Sequence, residues 1–286
     1  MSSYRFCRTD DVALLVEALN RCWSPYFPEE PPVTAATFKR SIRDLQVWCS
    51  SCMVAFSGSA PIGVLIGAKR PSGTLVHKIA VHPDHRRQGH GRHLLASLGS
   101  KLAILGPPRM IAEVPESLAP ASGLFKASGY VEEALLTDYV FPTEENDLAV
   151  DRGGHFVIPV SVDDLAANGL LGEPDPQVCW ERSVETVTAR KDHIAGLAVA
   201  SDERIEAYVL YVTRGMEETE IVSLRSLIDD GGARLKQLLS QLRARGTQTF
   251  RFPKVHPAEI SKEWLETLGF RAAGRHLLYA AKARSD

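Results

Sequence analysis

What the chain lacks narrows its class first. Its 286 residues hold no apolar run of the roughly 18 residues that a membrane helix needs, so no transmembrane helix is expected. It also lacks an excess of either charge: 33 Lys and Arg stand against 35 Asp and Glu, a formal net charge of -2. Phosphate backbones call for a broad basic surface, so nucleic acid is not expected as a partner and any basic patch must be local. Cysteines are few and odd in number, five in all, which does not suit a disulfide framework and fits a reducing compartment. The opening residues have neither the apolar stretch nor the small-residue cleavage site of an export signal, and a cytoplasmic address is expected. Cys49 and Cys52 have the spacing of a redox pair, but they begin a strand pattern rather than a helix, so they read as ordinary reduced thiols.

What is present reads as two α/β units, because the length exceeds most single cores. A short strand at 4–8 precedes Asp10-Asp11 and the helical series Val12, Leu15, Val16, Leu19. Prolines at positions 25, 28, 31 and 32 enforce an extended loop, and Thr34 then caps a helix to about Leu45. That loop brings aromatic side chains together with Glu29 and Glu30, which suits one wall of a pocket for a cationic amine and equally suits a plain surface loop. Strand patterns at 49–56, 61–69 and 74–81 form a meander. A basic, glycine-containing segment follows, then the helical stripe Leu94, Leu95, Leu98, Leu102, Leu105, closed by Gly106-Pro107-Pro108. A strand at 109–114, a helix to about Ser128, Gly129-Tyr130 and a strand near 135–141 complete the first unit.

Residues 142–154 carry little periodicity and read as a linker, dividing a first domain, 1–141, from a second, 155–286. The same order of elements then returns: strands at 194–200, 204–212 and 220–227, Gly231-Gly232 opening a helix, a strand at 247–252, and Trp264 to Phe270 echoing Leu124 to Tyr130. A diverged tandem duplication accounts for this echo.

The chemistry sits in Val81-His82-Pro83-Asp84-His85-Arg86-Arg87-Gln88-Gly89-His90-Gly91-Arg92. A strand-to-helix turn leaves main-chain N–H groups without intrahelical partners, glycines let the backbone approach a ligand, and the helix dipole adds about +0.5 charge. A diphosphate suits such a place, and Arg86, Arg87 and Arg92 can add charge-assisted bonds. Two glycines do not make a dinucleotide fingerprint, and no Gly-Lys-Ser/Thr follows to make a P-loop. Metal is not expected, since His82, His85, His90 and His93 have no cysteine or carboxylate at ligand spacing and sit among arginines. A solvated basic loop ahead of an amphipathic helix accounts for the same residues.

The string Lys78 to Leu95 resembles the acetyl-CoA-binding motif of the GNAT acyltransferase superfamily, Arg/Gln-x-x-Gly-x-Gly/Ala, with its preceding strand and proline. The resemblance implies an α/β fold of mixed sheets, as two tandem GNAT-like domains, each a mostly antiparallel twisted sheet with flanking helices. It implies acetyl-CoA as cosubstrate and an amine of a small molecule or peptide as acceptor, and it leaves room for a homodimer. Main-chain groups of Ile79, Ala80 and Val81 would pair with the pantetheine arm, and Arg86, Arg87, Gln88, Gly89, His90, Gly91 and Arg92 would cradle the diphosphate. A non-catalytic acyl-CoA-binding or scaffold protein is the rival reading. A lysine-like ammonium has a pKa near 10.4 and must lose a proton before it attacks. His77, where many family members have a glutamate, is the candidate base, with Glu113 second.

The chain departs from the family pattern at two positions. Phe125 stands where many members carry a tyrosine that protonates the leaving thiolate, and Leu118 where an asparagine contacts the cofactor; Ser122 and Tyr130 are the nearest hydroxyls. In the second half the matching turn, Asp229-Asp230-Gly231-Gly232, places acids where the first has arginines, so this copy is expected to have lost cofactor binding.

Overall fold

The computed structural model describes residues 2–141, 156–175, 177–215 and 217–284, so the predicted linker lies outside the described residues. In chain order the elements begin with β1 (Ser2–Phe6), α1 (Val12–Cys22), α2 (Ala35–Leu45), β2 (Met53–Ser57), β3 (Ala60–Arg70) and β4 (Gly73–Val81). They continue with α3 (His90–Leu105), β5 (Arg109–Pro115), α4 (Ala119–Ala127) and β6 (Val131–Phe141). Then come β7 (Phe156–Val160), α5 (Val162–Ala167), α6 (Val184–Ala189), β8 (Ala195–Ala200), β9 (Ile205–Arg214) and β10 (Glu218–Ser226). The chain closes with α7 (Ala233–Ala244), β11 (Thr249–Val255), α8 (Lys262–Thr267) and β12 (Arg271–Lys282). None of the described helices is long and apolar enough to cross a membrane.

The chain divides into two compact units that are not its sequential halves. Unit 1 is Met1–Ala134 together with Leu277–Asp286, and unit 2 is Leu135–His276, so the boundaries between the compact units fall within β6 and β12. In unit 1 the strands lie in the order β1-β2-β3-β4-β5-β12, and in unit 2 in the order β6-β11-β10-β9-β8-β7. The registered pairs are antiparallel except β4 with β5 and β10 with β11, which run parallel.

Local sequence explains the elements that frame the site. β3 is buried along nearly its whole length, and both α1 and α3 pack on it. A strand covered by helices needs the continuous apolar run Ile62-Gly63-Val64-Leu65-Ile66 rather than an alternating one. α1 turns Leu15, Ala18, Leu19 and Cys22 inward at helical spacing. Thr34 caps α2 reciprocally: its hydroxyl accepts from Thr37 N at 3.1 Å, and Thr37 Oγ1 accepts from Thr34 N at 2.9 Å. α3 turns Leu94, Leu95, Leu98 and Leu102 onto Ile62, Leu65, Met110 and Ala112.

Three differences from the sequence reading have physical causes. β1 ends at Phe6, because Arg8 N donates to Asp11 Oδ2 at 2.7 Å in the turn that starts α1. β2 starts at Met53, not position 49; Cys49–Ser51 is a single 3-10 turn, and burial pushes the Cys52 thiol up, away from redox reactivity. β7, α5 and α6 carried no assignment, since a proline interrupts β7 and six residues are too few to show helical periodicity.

Candidate functional site

The site of unit 1 begins where β4 and β5 part. Their pairing consists of Thr74↔Met110 and Leu75↔Ile111, after which β4 runs on to Val81 and β5 to Pro115 with no further registered pair. Had the pairing continued, His77 would stand opposite Glu113. His77 is also a β-bulge: β4 pairs with β3 as Ile66↔Lys78 and then Gly67↔Val76, leaving His77 as the extra residue. Bulges of this kind bend a strand and re-aim its groups beside functional sites. On β5, Met110, Ala112 and Val114 enter the core, so Glu113 faces the other side of the sheet.

The ladder phase decides which main-chain groups open on the gap. His82 N donates to Ile62 O at 2.9 Å, which makes Gly63↔Val81 a pair that exchanges no bonds with each other. The N–H and C=O of Val81, and by alternation those of Ile79, therefore face away from β3 and into the gap. Ala80, predicted to join them, is instead directed at Val64, and its main-chain groups serve the ladder.

At the end of β4 the chain turns into α3. Gly89 has φ 84°, a left-handed conformation that glycine adopts without strain, and a Cβ built there meets nothing within 4 Å. Arg87 also has a positive φ, 62°, which for a side-chain-bearing residue is strained and is characteristic of ligand clamps. The first helical bond is His93 N to Gly89 O at 3.0 Å. Among the described residues, no main-chain N–H from Arg87 to Arg92 has a protein acceptor. Arg86, Arg87, Gln88, Gly89 and Arg92 are exposed around this cluster of free donors. His90 is the exception among the predicted contacts. Its ring turns inward, 5% exposed, with Nδ1 2.6 Å from Tyr4 Oη, so only its main-chain N–H is offered to a ligand.

The loop after α1 lies on the same strand end. Trp23 and Phe27 stack with centroids 4.4 Å apart, Lys78 Nζ sits 4.0 Å from the Trp23 ring, and Glu30 Oε2 accepts from Trp23 Nε1 at 3.0 Å and from Lys78 Nζ at 3.4 Å. Glu30 is thus already engaged and is not an open carboxylate waiting for an ammonium. Tyr26 was missed in the sequence reading: its hydroxyl donates to Val81 O at 2.6 Å, and Arg86 lies 5.7 Å from its ring. Nothing in the pattern 23–30 signals that contact, since the partner is 55 positions away.

On α4, Phe125 is 2% exposed, edge-on to Tyr130 at 5.0 Å and stacked on Tyr279 at 5.9 Å. It packs as core. Tyr130 is no substitute acid, because it is buried with its hydroxyl on Met110 Sδ at 3.8 Å, and burial pushes its pKa up. Ser122 Oγ is buried with no partner among the described residues. No group of three His, Cys, Asp or Glu among those residues is placed to hold a metal.

The profile of the acetyltransferase (GNAT) family matches residues 12–130, a span that contains this whole arrangement from α1 to the end of α4. Residues 12–130 form a GNAT-family domain. The GNAT match supports N-acetyltransferase activity in general. Solved structures extend the likeness over both units. A tandem GNAT protein from the clavulanic acid biosynthesis pathway is 17% identical with a TM-score of 0.68, all of each chain being covered. A putative acetyltransferase from Pyrococcus horikoshii is 16% identical, TM-score 0.61, over 99% of this chain and 90% of that one. A GCN5-related N-acetyltransferase from Sphaerobacter thermophilus is 14% identical, TM-score 0.67, over 99% and 96%. At such identities the likeness shows the fold, which is that of a tandem GNAT protein with two GNAT-like domains. No curated protein shows significant sequence similarity to the chain.

Proposed function

We propose that the chain is an acetyl-CoA-dependent N-acetyltransferase whose GNAT domain carries an acetyl group to an amine of a small molecule or peptide. The observation that supports this most is the continuity of main-chain groups turned out of the ladder: those of Ile79 and Val81 face the gap between β4 and β5, with only the Val81 carbonyl held, by the Tyr26 hydroxyl, and the free N–H groups of Arg87 to Arg92 follow at once. A pantetheine arm is itself strand-like and can complete an open strand edge, while a diphosphate suits an amide cluster at a helix start. The residues therefore fit acetyl-CoA, with Ile79 and Val81 holding the arm and Arg86 to Arg92 the diphosphate.

The thioester supplies the activated acyl carbon; the chain supplies position and proton transfer. His77, at the bulge, takes the proton from the acceptor ammonium directly or through water, and Glu113 on the facing strand is the second candidate. A main-chain N–H on the open side of β4, at Val81 or a neighbour, stabilises the oxyanion. With Phe125 in the place of an acid, the thiol leaves as thiolate, tolerable for a group with pKa about 8.5, at a rate lowered by roughly a hundredfold.

Calorimetric titration of CoA into the wild type and Gly89→Glu tests the cradle, because the variant sets a carboxylate among the free donors. Loss of at least tenfold in affinity is expected; equal affinity would refute the site. The buried Phe125 favours a second reading, an acyl-CoA-binding protein without turnover. Release of thiol from acetyl-CoA across a panel of amines separates the two, since a pure binder releases none.

A further inference from the structure

Unit 2 repeats the architecture of the site and fills it. β10 and β11 pair in parallel from Glu218↔Thr249 to Glu220↔Arg251 and then stop. β10 bulges at Val222, between the pairs of Ile221 and Ser223, and Val222 is the fifth of nine residues as His77 is in β4. Extended register sets Val222 opposite Pro253, the rung that His77 and Glu113 hold in unit 1. Arg182 occupies that rung. Its Nε donates to Pro253 O at 2.7 Å, Nη2 to Lys254 O at 3.1 Å, and Nη1 to Val222 O at 3.5 Å. Both terminal nitrogens also donate to Glu259, at 2.7 and 2.6 Å, and the guanidinium carbon lies 4.6 Å from the Phe252 ring centre. The Arg182 and Glu259 side chains are 3% and 5% exposed.

The helix start is filled as well. Asp230 accepts from Gly232 N at 2.9 Å and Arg234 N at 2.8 Å, so a carboxylate of the chain satisfies donors that unit 1 leaves free. The acids of this turn thus do more than repel a diphosphate; one of them takes its place.

The two blocking side chains come from matching places. Arg182 ends a 3-10 turn, Trp180–Arg182, between the first two helices of unit 2, and Tyr26 ends one, Ser24–Tyr26, between the first two helices of unit 1. Both donate to a main-chain carbonyl of the bulged strand, Arg182 at the bulge residue Val222 and Tyr26 at the strand's last residue, Val81. We propose that Tyr26 and Arg182 are corresponding internal ligands of the two gaps, displaceable in unit 1 and permanent in unit 2. The chain therefore takes one acyl-CoA, and the second gap has become a guanidinium site filled by its own arginine. The unit 1 half of this rests on the cofactor reading above.

Chemistry separates the two cases. Tyr26 is neutral, makes one bond to the strand and is 37% exposed, so an incoming amide replaces what its departure loses. A diphosphate that draws Arg86 also removes the cation from the Tyr26 ring. Arg182 bridges both strands and neutralises a buried carboxylate, which no neutral pantetheine can do.

The test uses the full chain. Calorimetry with CoA should give one equivalent for the wild type and for Tyr26→Phe, the variant binding roughly three- to tenfold tighter, the equivalent of one neutral hydrogen bond no longer in competition. Two equivalents in the wild type, or binding by Tyr26→Phe that is unchanged or weaker, overturns the assignment. For unit 2, millimolar ethylguanidinium should raise the thermal midpoint of Arg182→Ala, or restore its circular dichroism if the variant alone is unfolded. Ethylammonium should not, and the wild type should respond to neither. No selective effect of ethylguanidinium removes Arg182 as an internal ligand. A wild type that takes up no CoA removes the cofactor reading and the Tyr26 half with it, while the ethylguanidinium arm still decides Arg182.

Discussion

His90 shows how one residue of a motif can serve structure and site through different atoms. Its N–H belongs to the cluster at the start of α3, while its ring is packed beside Tyr4 with Nε2 buried and unpartnered. Burial holds the imidazole below its usual 6.5, and His85 and His93 add to this. The unfolded chain therefore binds this proton before the folded one does. The contribution of neutral His90 to stability is complete above a pH of about 6.5 and is lost as the pH falls through the depressed folded value. Scanning calorimetry should show the thermal midpoint falling as pH is lowered from about 7 toward 5, and His90→Gln should flatten that part of the profile; an equal slope in the variant would assign the effect elsewhere.

At the scale of elements, β4 does most to make the site. Its apolar stretch holds it against β3, its bulge at His77 bends it, and its separation from β5 leaves the main-chain groups of Ile79 and Val81 facing a gap. A base placed at the bulge acts on the reaction and not on the cradle. For His77→Ala we expect kcat for acetyl transfer to fall by roughly two orders of magnitude near neutral pH, with CoA affinity within about twofold of the wild type. Steady-state kinetics with calorimetry checks both; turnover unchanged across pH 6 to 9 would leave the base to another group. The string from Lys78 to Leu95 was legible in advance because strand, turn and helix follow one another along the chain, each with its own local pattern. The bulge was not, since it exists only in the pairing of β4 with β3.

For the whole molecule, the compact units cross the sequential order. Unit 1 includes Leu277–Asp286, and Tyr279 is fully buried in its core against Phe125. A fragment ending at Phe141 keeps the whole family match and loses that strand and ring. Loss of one buried aromatic alone costs about 3–5 kcal/mol, a large share of the stability of a domain of this size. Residues 1–141 expressed alone should show no cooperative thermal transition, and a transition should return when a segment corresponding to β12 is fused at the end; a fragment that melts as sharply as the full chain would contradict this.

Read without its structure, the chain already determined its two α/β repeats, the order of strands and helices in the first of them, and the glycine turn with its arginines. Those properties depend on residues within a few positions of each other, where spacing and composition are the physics. The tertiary structure alone decided that Ile79 and Val81 face the gap while Ala80 does not, that Tyr26 reaches Val81, that Arg182 and Asp230 fill the second site, and that the second half of the last strand belongs to the first unit. Each of these rests on a ladder phase or on a contact between groups distant in sequence, and no local pattern encodes the partner.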